Sequence, residues 1–160
     1  MDIDDLWERP RRPRAAVAEP AGAPDGVAER AFAALGGALQ GEVDTAGERI
    51  VVDGAEVRVR MLARRLGARA VVQLHALEVG PGARGRGVGT RAVEALRAVV
   101  AGLGADLVVG PITNERFWTG RFPGLEPIDA GYVCLCGCFG YMASDAGALG
   151  AEELAAIDAW

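Results

Sequence analysis

The chain's only histidine, His75, lies in an apolar run, "QLHALEV", that leads straight into "GPGARGRGVGT". Imidazole is the side chain that most readily exchanges a proton near neutral pH, so His75 is the first candidate for a general base. The other reading of a lone histidine is a hydrogen-bonded core residue. Glu78 is the rival base. In a regular strand the two point to opposite faces, unless a bulge intervenes. The loop behind them carries five glycines and two arginines between Gly80 and Thr90. So many glycines weaken a fold unless the backbone itself is needed there. The run Arg84, Gly85, Arg86, Gly87, Val88, Gly89 and Thr90 would present unpaired N–H groups at the positive end of a helix, with two guanidinium groups at its mouth. That is a cradle for an anion, and a pyrophosphate suits it.

The flanking segments must hold this loop. Val27 to Leu39 has helical spacing of apolar residues, weakened by Gly36 and Gly37. "RIVV", then "DG" at Asp53 and Gly54, predicts a hairpin into "AEVRVRMLARRL", where Val57, Val59 and Met61 alternate with Arg58 and Arg60. "GAR" turns into "AVVQLHALEV", completing an antiparallel meander of three strands. "GVGTRAVEALRAVVAGLG" predicts an amphipathic helix with Val88, Ala92, Val93, Leu96, Val99, Val100 and Leu103 on the apolar face and Arg91, Glu94 and Arg97 on the other. "ADLVVG" reads as a strand covered on both faces. Strand, helix and strand in that order predict a parallel crossover. "TNERFWTGRF" reads as a short helix begun by Thr113 or Asn114, "GYVCLCGCFGYM" as a last strand or bent pair, and "GAEELAAIDAW" as a closing helix. The expected class is α+β, a mixed and mostly antiparallel sheet with one parallel β-α-β step.

Three nucleotide-binding patterns compete for the glycine loop. A Walker A loop ends in Gly-Lys-Ser/Thr, and the chain has no lysine. A Rossmann fingerprint differs in spacing and opens a βαβ unit, whereas three antiparallel runs precede this loop. The stretch "LEVGPGARGRGVGT", Leu77 to Thr90, resembles the acetyl-CoA pyrophosphate signature of the GNAT acyltransferase superfamily, with Arg84, Gly87 and Gly89 at its defining positions. The resemblance runs from about Val71 to Leu125.

That resemblance implies a GNAT fold and an acetyl-CoA-dependent N-acetyltransferase that moves an acetyl group to a primary amine within a ternary complex. It implies that the N–H groups of Arg84 to Thr90 bind the pyrophosphate. It implies that the strand carrying Leu77 and Val79 splays from "DLVVG", with pantetheine between them. By the same match Asn114 would contact the CoA arm and Phe117 would pack against it. "LHAL" also looks like the matching strand of arylalkylamine N-acetyltransferases, where histidines relay protons. Gln73 stands where other members place a catalytic Glu, and is expected to orient a water. Trp118 occupies the neighbourhood of the family's usual tyrosine acid, and an indole N–H is no acid. Tyr141 is the replacement taken here, with Tyr132, water and, remotely, Cys134 as alternatives. The other reading of the resemblance is a catalytically degenerate member that binds acyl-CoA as a sensor or assembly module. An unrelated nucleotide-binding domain is the third.

Bulk properties narrow the rest. With 160 residues the chain has one domain's length, and half of its residues are apolar. Residues 1–26 read as a flexible Pro/Arg-rich arm and 27–160 as a single domain. The acidic start argues against a secretory signal, and no apolar run approaches a bilayer's thickness, so a cytoplasmic location is expected. A net charge of −5 does not suggest nucleic-acid binding and mildly favours a cationic amine as acceptor. Cys134, Cys136 and Cys138 share one strand face and lack the paired spacing of a thiolate metal site, so no metal is expected. Many members of that family dimerise through their last strands, and the apolar final segments here allow a homodimer of the same kind.

Overall fold

The computed structural model describes residues 26–46, 48–112, 115–118, 121–128 and 140–158. These form an α+β unit with a seven-stranded mixed sheet in the order β1-β2-β3-β4-β5-β7-β6. The strands are β1 (Glu42–Asp44), β2 (Arg49–Val52), β3 (Ala55–Leu66), β4 (Arg69–Val79), β5 (Asp106–Val109), β6 (Glu126–Ile128) and β7 (Tyr141–Ala143). The helices are α1 (Val27–Ala38), α2 (Val88–Gly102), α3 (Glu115–Trp118) and α4 (Ala151–Asp158). Among the described strands only β4 and β5 pair in parallel, and α2 is the crossover between them. No described helix is long and apolar enough to cross a membrane.

The local chemistry explains the long hairpins. Asp53 and Gly54 both adopt positive φ, 50° and 76°, which is the backbone of a primed turn whose twist matches the flanking strands. Val52 therefore faces Ala55, and β2 runs back along β3 from there. The turn after Leu66 sets Leu66 against Arg69 and starts the longest pairing in the sheet. At the start of β4, Arg69 bridges Asp106 at 2.7 Å and Asp145 at 3.3 Å, tying the starts of both parallel strands together.

Two cores lie on the two faces of the sheet. α1 and α2 cover one, with Leu35, Ile50, Val57, Val59, Leu74, Val93 and Leu96 buried in it. α4 covers the other at its far end, where Ile157 packs with Leu66, Val71 and Val108. Each fully buried Leu or Val contributes about 1.5–3 kcal/mol, so these layers hold the parallel step rigid.

The structure differs from the sequence reading in several places. A fourth antiparallel strand, β1, precedes the expected meander, and β6 joins the opposite edge. Each has only one or two apolar residues, too few to show a period. Leu103 stands at the C-cap of α2 and is 36% exposed, because the helix ends before that face closes. Arg97 is not a solvated residue: its Nε is buried, and the guanidinium lies over Gly124. Much of the expected "CLCGCF" strand, together with Thr113, Asn114, Tyr132, Cys134, Cys136, Cys138, Trp160 and the arm before residue 26, lies outside the described residues.

Candidate active site

The site begins where the parallel ladder stops. β4 and β5 pair from Val71 and Asp106 to Leu74 and Val109. One further bond follows, from Gly110 N–H to the carbonyl of Leu74 at 3.1 Å. β4 continues five residues beyond Leu74, to Val79, while β5 has ended. Over that length β4 keeps β3 on one side only. The backbone on its other side has no strand to pair with among the described residues, and an extended ligand could take that place.

Gly110 makes this parting sharp. Its φ of 143° is a conformation that side chains rarely adopt, and an added Cβ would stand 2.5 Å from Cδ1 of Tyr141. Its carbonyl accepts a hydrogen bond from Nε2 of Gln73 at 2.9 Å. Nε of Arg64 donates to Oε1 of Gln73 at 3.1 Å. Gln73, expected to orient a water, instead has both ends of its amide engaged by protein, and it is 1% exposed. Only its place at the end of the ladder, which the pairing reveals, shows this use.

His75 is the extra residue of a bulge. Arg60 faces Ala76 and Met61 faces Leu74, so His75 has no register partner on β3. The bulge resets the alternation: Leu74 and Leu77, three apart, both pack with the helix-side core. Glu78 lies opposite Arg58, on the face away from that core. Both His75 and Glu78 are exposed, and both line the same cavity of about 1020 Å³.

The glycine loop forms the cavity's far end. A short 3-10 turn, Pro81–Ala83, leads into it. Gly85 and Gly87 have φ of 76° and 74°, and a Cβ on either would meet nothing within 4 Å, so the backbone there faces open space. Gly87 caps α2, whose first closing bond runs from Arg91 N–H to Gly87 O at 3.0 Å. The N–H groups of Val88, Gly89 and Thr90 precede that bond and are the helix's free donors. Arg84 donates its Nε to the carbonyl of Val79 at 3.1 Å, which fixes the stem of the side chain across the mouth.

An aromatic wall, Phe117 and Trp118, completes the lining. Phe117 meets Trp118 edge-on at 4.9 Å between centroids and Phe122 at 5.5 Å. The guanidinium of Arg121 sits 5.2 Å above the Phe117 ring. Trp118 is 7% exposed and belongs to the core while also touching the cavity.

The structure thus gathers His75, Leu77, Glu78, Val79, Arg84, Gly85, Gly87, Val88, Gly89, Thr90 and Phe117 around one cavity. Arg86 is exposed on the loop but outside the lining. Tyr141 is a correction. It is 7% exposed and packs in the second core with Val71, Val108 and Ile157, not on the cavity. Its place in β7, beside β5, sends its ring into that core and against Gly110. Residues that the sequence reading missed are Gly110, Pro111 and Ile112, which form the wall after β5, and Arg121. The dipeptide Gly-Pro straight after a buried apolar strand was the available signal. No group of three or more metal-ligating side chains occurs among the described residues.

Comparison with protein-family models, with curated proteins and with solved structures gives no significant match.

Proposed function

We propose that this chain is an acetyl-CoA-dependent N-acetyltransferase of the GNAT type, acting on a primary amine. The observation that carries this reading is the parting of β4 from β5 after Leu74, directly upstream of the loop that opens α2. A gap between two parallel strands suits a narrow arm with amide groups, which can pair with the free edge of β4. A helix N-terminus at the end of that gap suits a pyrophosphate, with Arg84 as counter-charge. One molecule with both parts, in that order, is a coenzyme A thioester.

The acyl end would then lie by the bulge. His75 would take the proton of the incoming amine, directly or through a water, so that the nitrogen lone pair attacks the thioester carbonyl carbon. Backbone N–H groups of β4 beyond Leu74 would hold the oxygen on which charge develops. Collapse breaks the carbon–sulfur bond, and the thiolate leaves with a proton taken from solvent or from the released amine proton. Glu78, on the same cavity, would attract a cationic acceptor and is the alternative base.

A second reading has its own support. Among the described lining residues there is no tyrosine to serve as acid, and Tyr141 is buried elsewhere. That favours a protein that binds acyl-CoA without turning it over, as a sensor or assembly module. Thiol release from acetyl-CoA, measured against a broad panel of primary amines, separates the two. Amine-dependent release supports the enzyme. Binding without release from any amine supports the sensor.

A further inference from the structure

We propose that Gln73 is a positioning residue that sets the width of the gap between β4 and β5; the ligand named here rests on the acetyltransferase reading. Gln73 is the one polar side chain among the described residues that is fully buried in the sheet, at 1% exposure. Its amide orientation is forced by its partners. The Arg64 guanidinium can only donate, so it takes Oε1, and the Gly110 carbonyl can only accept, so it takes Nε2.

Gly110 is thereby held twice by β4. Its N–H reaches the carbonyl of Leu74, and its C=O receives the side chain of Gln73. These are the last ties between the two strands. The next residue of β4 is the bulged His75, and the next residues after Gly110 form the opposite wall of the cavity. The hydrogen bond from Gln73 therefore fixes where one wall begins relative to the other. Arg64, on β3, holds Gln73 from the remaining side, so three strands meet at one side-chain amide. A buried amide that loses a partner leaves an unpaired group, so the position tolerates no apolar replacement without a shift of the Gly110 peptide.

The loop at the start of α2 lines the cavity, whereas Gln73 stands outside its lining. The two can be read separately with two probes. Acetyl-CoA needs both the gap and the loop, whereas ADP needs the loop alone. Gln73→Met keeps the size of the side chain but cannot donate to Gly110. Arg64→Met leaves Gln73 in place and removes its anchor, which keeps the test available if the first variant folds poorly.

Binding of both probes is measured by calorimetry, with ADP by displacement, on folded wild-type and variant protein. Gln73→Met is expected to weaken acetyl-CoA about tenfold and leave ADP within twofold. Arg64→Met should move acetyl-CoA in the same direction by less. Equal affinity for acetyl-CoA in wild type and both variants overturns the positioning role alone. Equal loss of both probes also overturns it, since that marks general distortion. Failure of the wild-type protein to bind acetyl-CoA overturns the acetyltransferase reading, and this proposal falls with it.

Discussion

The ring of Phe117 lies against the backbone of Gly89: a Cβ built on Gly89 would stand 3.3 Å from Cζ of Phe117 and 3.4 Å from Cγ2 of Val79. The second residue of α2 is thus wedged between the last residue of β4 and the aromatic wall. The absence of a side chain there lets the helix N-terminus reach the cavity.

Gly89→Leu should fill that wedge. Forcing extra methylenes into such a space typically costs about 1–3 kcal/mol, so the melting temperature should fall. The acetyl-CoA affinity should fall more than tenfold, because Phe117 must move into the cavity. Calorimetry on the folded variant checks this, and unchanged affinity would remove Gly89 from the site.

Arg84→Glu should weaken acetyl-CoA at least tenfold, since it reverses the charge at the mouth and breaks the bond to Val79. Arg86→Glu should do less, because Arg86 is outside the cavity lining. Measuring both at two salt concentrations adds a check. Both side chains are exposed, so both effects should shrink as salt rises.

His75→Ala should lower turnover about 10²- to 10⁴-fold, the usual range for a general base, while acetyl-CoA binding stays within a few-fold. Turnover equal to wild type would transfer the role to Glu78, which Glu78→Gln then tests.

Gly110→Ala should destabilise the protein by roughly 3 kcal/mol, combining an unfavourable φ with overpacking against Tyr141. Denaturant unfolding reads this directly. A change below ~0.5 kcal/mol would mean that the chain after β5 can relax freely, contrary to its ties to Gln73 and Leu74.

The parts of the fold that follow a simple period were legible in the sequence. The hairpin at Asp53 and Gly54, the alternation of β3 and the buried β5 behave as their patterns predict, and α2 does so except at Leu103 and Arg97. The turn into α2 was legible from its glycines, two of which, Gly85 and Gly87, adopt positive φ. The bulge at His75 was not. "VVQLHALEV" is apolar at both parities, so a slip in alternation leaves no trace in it. Nor was the role of Gln73 legible, because a buried amide is recognised by what it bonds, and Arg64 and Gly110 come near it only through tertiary pairing. Tyr141 was chosen for its chemistry, but the pairing of β7 with β5 decides where its ring goes.

The central claim is that the parted strands and the glycine loop form one site for a coenzyme A thioester. Parallel calorimetric titration with acetyl-CoA, CoA and ATP tests it most directly. Micromolar binding of acetyl-CoA and CoA, with ATP much weaker, is the predicted result. ATP binding as tightly as acetyl-CoA, or no binding of either CoA species, would contradict it.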